Sequence, residues 1–169
     1  MLGFWNESRT FMTESSAEAA RRFKIPRSVL VVIHTPGLEV LMMERAAWPG
    51  FWQSVTGSLD REDEPLAETA VREVGEETGI DARQHRLTDW AIENSFEIFA
   101  KHRGRYAPGV THNREHLFSL EVPGGTPVRL EPREHTRFEW LPWREAAERT
   151  LSWTNRDAIL LIARRAGLA

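Results

Sequence analysis

One helix-sized segment, Pro65 to Gly79, constrains this chain more than any other, because its glutamates crowd where a helix tolerates them least. Its borders are clear. Pro65 suits a first helical position, where its missing N–H is not needed. Asp63 and Glu64 precede it at the positive end of the helix dipole, and Gly79 is the kind of residue that ends a helix. Glu73, Glu76 and Glu77 fall at i, i+3 and i+4, within about a third of the helix circumference. Like charges at these spacings cost about 0.2–0.5 kcal/mol per pair. They also occupy the last turns, where the dipole favours cations. Without compensation the segment is only a solvated acidic face. A divalent cation is the economical compensation, and oxygen donors in a chain with no cysteine suit Mg2+, with Mn2+ as a substitute. Arg72, beside Glu73 and four residues before Glu76, is placed to orient the carboxylates or to bind phosphate. Gly75 costs about 1 kcal/mol relative to Ala inside a helix, which suggests close packing against a neighbour.

The surrounding pattern is that of an α/β chain. The β-branched run Ser28–His34, bounded by Pro26 and Pro36-Gly37, predicts a buried strand, a turn and a second strand over 38–44. A third short strand is expected over 51–55, with a loop starting at Thr56-Gly57-Ser58. Further strands are predicted over 87–92, 96–99, 116–122 and 137–141. Pro142 opens a helix through Arg149, and Thr154 or Asn155 caps a last one running to about Arg165. Ser15-Ser16-Ala17-Glu18 reads as a capping box before a short helix over 17–23. Residues 1–23 are therefore expected to form an N-terminal extension and residues 24–169 a single domain, with helices packed on a mixed sheet.

Composition narrows the function. A net charge of -3, from 22 basic and 25 acidic residues, argues against coating nucleic acid or an anionic membrane. The absence of cysteine excludes disulfides, Cys-ligated zinc and thiol catalysis. No stretch approaches the roughly 18 apolar residues of a membrane span, and no signal segment is visible, so a cytoplasmic location is expected. The six histidines show no metal-site spacing on a helix: His112 and His116 are four apart but are expected to straddle a loop and a strand. The seven tryptophans read as packing anchors, with Trp52 alone expected near a site.

Gly57-Ser-Leu-Asp-Arg-Glu-Asp-Glu64, seven residues, and then Arg72-Glu-Val-Gly-Glu-Glu-Thr-Gly-Ile80 resembles the Nudix box. That pattern is G, five residues, E, seven residues, R-E-U-x-E-E-x-G-U, where U is bulky and apolar. The second half matches at every fixed position. In front, six residues rather than five separate Gly57 from Glu64. Either the loop carries one extra residue or Ser58 takes the glycine's register. Trp52-Gln-Ser-Val-Thr-Gly-Ser58, Phe96-Glu-Ile-Phe99, Arg105-Tyr-Ala-Pro-Gly-Val-Thr111 and Ser152-Trp153 with Asn155-Arg156 are similar to one branch of that family, the bacterial dihydroneopterin triphosphate pyrophosphohydrolases of folate biosynthesis.

The resemblance implies a Nudix-like α/β/α sandwich and Mg2+-dependent hydrolysis of 7,8-dihydroneopterin 3'-triphosphate to the monophosphate and pyrophosphate. It implies Glu73 and Glu77 as metal ligands, Glu134 as a further ligand or base from a distant loop, and Glu76 as second-ion ligand or proton acceptor. Glu115 and Glu97 compete with Glu134 for that role. Lys24, Arg45, Thr56, Phe96 to Phe99 and Ser152 match substrate-contact positions. Strand alternation would put Phe96 and Ile98 on one face and Glu97 and Phe99 on the other. An aromatic ring there would stack on a flat pterin, and Glu97 would accept from its amino-pyrimidine edge. The alternatives are a broader nucleotide pyrophosphohydrolase acting on dATP, and a Nudix-fold binding module without turnover. Such modules usually lose a helix carboxylate, whereas this chain has all three.

Overall fold

The computed structural model describes residues 23–168. The capping box at Ser15 and residues 17–22 of the short helix expected after it lie outside them, and Phe23, the last residue of that span, is in no helix. The described chain forms a mixed seven-stranded sheet with helices on both faces.

The organising strand is β1 (Arg27–His34), buried on both sides as its β-branched run predicts. It pairs in parallel along its whole length with β6 (His112–Glu121), from Arg27 opposite Arg114 to His34 opposite Glu121. Its other edge is shared. β4 (Val55–Ser58) covers the first half, and β2 (Glu39–Arg45) meets it at His34 opposite Val40. β2 carries the sheet on to β3 (Trp52–Gln53) and β7 (His135–Pro142), and β5 (Arg86–Glu97) closes the far edge against β6.

Alternation along β1 divides the core. Val29, Val31 and Ile33 join Ala70 and Val74 of α1 (Leu66–Thr78) in one buried cluster. Leu30 and Val32 join Ile159 and Ile162 of α3 (Trp153–Arg165) in the other, beside α2 (Trp143–Arg149). Each fully buried Val, Leu or Ile contributes about 1.5–3 kcal/mol. The result is an α/β/α sandwich.

Several boundaries differ from expectation. The strand expected over 51–55 is two, β3 and β4, and Thr56–Ser58 is strand rather than the start of a loop, because these residues complete the free edge of β1. The two strands expected over 87–92 and 96–99 are one strand, β5, with a register shift between Asp89 and Glu93. Ala91 takes φ 53° there, and its N–H donates to Asp89 Oδ1 at 2.8 Å. Phe99 lies beyond this strand, at the start of a 3-10 turn. β6 begins at His112, so His112 and His116 both lie in one strand. Ser152, not Thr154 or Asn155, caps α3: its hydroxyl accepts from the Asn155 N–H at 3.4 Å. The Asn155 side chain is instead buried and tied to Ser54, accepting from its N–H at 2.8 Å and donating to its Oγ at 2.9 Å. Trp52 belongs to the core on the α3 side, under the guanidinium groups of Arg137 and Arg149, and not to the cleft described below.

Pro65 is the N-cap of α1, and Gly79 ends it at φ 70°, donating its N–H to the Gly75 carbonyl at 3.0 Å. Gly75 does not serve close packing. A Cβ built on it would meet only the Ile80 carbonyl oxygen, at 3.9 Å. Gly75→Ala is therefore expected to stabilise the fold by about 0.5–1 kcal/mol with no loss of activity, as read by urea unfolding and turnover.

Candidate active site

Gly57 and Glu73 explain each other. A Cβ at Gly57 would lie 1.8 Å from Glu73 Cδ, so only glycine leaves room for this carboxylate beneath β4. That places Gly57, not Ser58, in the glycine's register. The extra residue falls in the turn before Glu64, where residues 60–63 are exposed.

Arg72 fastens this turn to the helix. Its Nε donates to Glu64 Oε1 at 3.1 Å and its Nη2 to the Ser58 carbonyl at 2.9 Å. Its Nη1 reaches Glu73 Oε1 at 2.8 Å and Glu76 Oε2 at 3.3 Å. Burial opposes ionisation of Glu64, but Arg72 and the Asp60 N–H outweigh it and hold the carboxyl below its ordinary range. Every nitrogen of the Arg72 guanidinium is engaged within the chain, so Arg72 orients carboxylates and does not reach outward for phosphate.

Glu73 and Glu77 are under-neutralised. Burial pushes the Glu73 carboxyl up to about 7, against the pull of Arg72 and with the help of the negative charges of Glu77 and Glu76. Burial also raises Glu77, opposed by His135. The His135 Nε2 is 2.9 Å from Glu77 Oε2, and its ring is almost wholly buried. Helical spacing, the pattern that marks metal-binding histidines, does not reveal His135. Its one sequence signal is adjacency to Glu134.

The Glu134 loop is strung along the end of α1. The Arg129 and Glu131 N–H groups donate to the Thr78 and Glu77 carbonyls at 2.8 and 3.2 Å, satisfying acceptors that a helix end leaves unpaired. Glu134 itself is half-exposed, with Oε2 4.0 Å from the Arg45 guanidinium. Lys24 lies in the same cleft, its pKa lowered by burial and by the nearby Arg105 and Arg45. Glu76 points outward. Among the described residues no three acidic or histidine side chains already converge on one point. Glu73, Glu77 and Glu134 do share one end of the cleft. Their donors are all oxygen, and two of them are buried short of positive charge, which fits a hard divalent cation.

The cleft continues over the end of the sheet to the start of α3. Thr56 pairs with Leu30 and so faces the α3 side, its Oγ1 accepting from Gln53 Nε2 at 3.2 Å. Phe96 and Ile98 turn inward, half-buried and buried, while Glu97 and Phe99 are exposed; alternation within β5 separates Phe96 from Glu97, and the same pattern persists just past the strand's end. Glu97 is ion-paired with Arg103. This pairing leaves it poorly suited to the amino-pyrimidine role expected from sequence. The Ser152 hydroxyl is occupied with capping and with Thr154 Oγ1 at 3.0 Å. Trp48 and Trp153, not Trp52, line this cleft.

A family model described as NUDIX domain matches residues 24–162, and the chain belongs to that family. The dihydroneopterin triphosphate diphosphatase of Escherichia coli (strain K12) is 46% identical over 140 residues, 81% of this chain and 91% of that protein. The Haemophilus influenzae protein of the same name is 40% identical over 141 residues, 82% of this chain and 87% of that one. The structure of the E. coli dihydroneopterin triphosphate pyrophosphohydrolase superposes with a TM-score of 0.77 at 44% identity, covering 85% of this chain and 98% of that one.

Two outcomes follow from this geometry. In the metal-free protein Glu73 keeps its proton up to about pH 7, whereas an unfolded glutamate releases it near 4.5. Between those values the folded state binds more protons, so stability falls as pH rises, by up to roughly 3 kcal/mol. Urea unfolding in EDTA should give lower stability near pH 8 than near pH 5, with the gap narrowed in Glu73→Gln. Gly57→Ala should displace only the flexible end of Glu73. Its melting temperature should stay close to wild type while kcat/KM falls about 100-fold, the cost of a carboxylate moved by an ångström or more.

Proposed function

We propose that this protein is a Mg2+-dependent pyrophosphohydrolase that converts 7,8-dihydroneopterin 3'-triphosphate to dihydroneopterin monophosphate and pyrophosphate. The observation that carries this reading is a single cleft with two chemistries. Glu73 and Glu77, buried and under-neutralised, stand at one end, and a half-apolar slot beside Phe96 and Ile98 forms the other. The named relatives, similar over four-fifths of the chain, supply the substrate.

Glu73 and Glu77 would hold the cation, with Glu134 as a further oxygen donor. When bound, Mg2+ neutralises polyphosphate charge and lowers the pKa of a bound water. The chain's own groups do the rest. Arg72 fixes the direction of Glu73, and His135 fixes that of Glu77. Glu76, exposed to solvent and held by Arg72 through one oxygen, accepts the proton of the attacking water. Arg45 and Lys24, cations lining the same cleft near Glu134, meet phosphate oxygens. Phe96 and Ile98 contact the flat ring, with Thr56 between ring and phosphates. The substrate is a small triphosphate rather than nucleic acid, in keeping with the net charge of -3, and the reading is of a cytoplasmic enzyme. All three helix carboxylates are present, which speaks against a binding module without turnover.

Pyrophosphate release from dihydroneopterin triphosphate and from dATP, measured side by side, tests the reading. The pterin substrate should show the higher kcat/KM, turnover should stop in excess EDTA, and added Mg2+ should restore it. A preference for dATP overturns the substrate, and turnover undiminished by chelator overturns the metal requirement.

A further inference from the structure

Among the described residues Glu115 is a buried carboxylate that the reaction above does not use, and, unlike the equally buried Glu44 and Glu64, it has no arginine partner. It lies on β6 opposite Ser28 of β1 and Asn94 of β5, and its side chain is 6% exposed. Its Oε1 has no hydrogen-bond partner. The next inward residue but one toward the strand's start, Asn113, is 5% exposed. Asn113 donates its Nδ2 to Ser28 Oγ at 2.7 Å, and its own Oδ1 is likewise unpartnered. Two buried acceptors thus stand on one face of one strand, and both line the cleft. Burial pushes the Glu115 carboxyl up, and only the Thr154 hydroxyl offsets this. Native proteins seldom leave such atoms unpaired, since a buried carboxylate oxygen without a donor is among the costliest polar groups to keep. One hydroxyl leaves Oε1 unserved.

The surroundings define what would satisfy it. Phe96 pairs with Asn113 across β5 and β6, which sets an aromatic ring beside the two acceptors on the same face. Ser152, Trp153 and Thr154 close the slot from α3. The two unpartnered buried atoms in this slot, Glu115 Oε1 and Asn113 Oδ1, are both acceptors, so the matching edge of a flat ring carries adjacent N–H donors. A carboxylate is suited to two parallel N–H groups. The 2-amino-4-oxopyrimidine edge offers them as its ring N–H and exocyclic amine. Adenine does not, since its amine adjoins a ring nitrogen that itself accepts. Position agrees. β4 and β6 flank β1, so Glu115 stands two strand spacings, about 10 Å, from the strand of Gly57. A pterin's amino edge and the phosphates on its side chain are separated by a distance of that order.

We propose that Glu115, assisted by Asn113, is the specificity-determining residue at the base end of the cleft, accepting from the paired N–H donors of a 2-amino-4-oxopyrimidine edge. The assignment rests on the pterin reading above and displaces Glu97 from that role. Its test uses Glu115→Gln, which keeps the shape but turns one acceptor into a donor facing donors. kcat/KM is measured for dihydroneopterin triphosphate, dGTP and dATP, with melting temperature alongside. The ratios of the first two to dATP should each fall about 10- to 100-fold, the worth of a hydrogen bond to a charged group. The loss should appear mainly in KM. Equal losses on all three substrates, or unchanged ratios, overturn the proposal. A second measurement needs no variant. On the wild-type protein, 2-amino-4-oxopteridine should inhibit at about tenfold lower concentration than 4-oxopteridine, which lacks the amine, and equal inhibition overturns the proposal. If wild type prefers dATP to the pterin substrate, the substrate reading fails, while the dGTP-to-dATP ratio still judges the carboxylate.

Discussion

The contacts of Arg72 hold the rest of the site in place. One guanidinium joins a turn, through Glu64 and the Ser58 carbonyl, to a helix face, through Glu73 and Glu76. Glu64 is buried, and removing one partner from a buried ion pair generally costs about 3–5 kcal/mol, because the other charge is left uncompensated. Arg72 therefore supports the fold and the site at once. Gly57 completes the arrangement by leaving space, since Glu73 can lie against β4 only where no side chain stands in the way.

The charge balance still leaves a deficit. One guanidinium serves Glu64, Glu73 and Glu76, and Asp60 also lies 3.4 Å from its Nε. Glu77, at the dipole's negative end, is hydrogen-bonded to His135 and feels Arg45 only at longer range. The crowding seen in the sequence is thus managed by the protein but not neutralised. Burial then makes the remaining charge matter, since carboxylates raised in pKa at the mouth of a cleft gain most from an external cation.

What could be read beforehand follows from how local the physics is. The limits of α1 were legible because Pro65 and Gly79 act through their own backbone. The double burial of β1 was legible because an unbroken apolar run has few other places to go. Thr56-Gly57-Ser58 misled because turn residues became strand by pairing with an edge supplied from far along the chain. The bulge at Ala91 was hidden for the same reason. At the site, the helix carboxylates declared themselves by spacing, but His135 reaches Glu77 only through tertiary structure. Alternation correctly separated Phe96 from Glu97, yet it did not say which face α3 would cover. That cover decides that Glu97 is exposed and paired with Arg103 while Glu115 is enclosed with its Oε1 unpartnered.

The two ends of the cleft lie on opposite faces of the sheet, and two consecutive residues show why this costs so little chain. Gly57 pairs with Val29 and faces α1, whereas Thr56 pairs with Leu30 and faces α3. Successive strand residues must point to opposite sides, so one peptide step carries the wall of the cleft from the acidic helix to the ring slot. The same logic accounts for the tolerated extra residue. Gly57 is fixed by its strand partner and Glu64 by Arg72 and the Asp60 N–H, so residues 61–63 are free to differ in number between two anchored ends. The carboxylates, and the acceptors on β6, keep their places because none of them depends on the length of that turn.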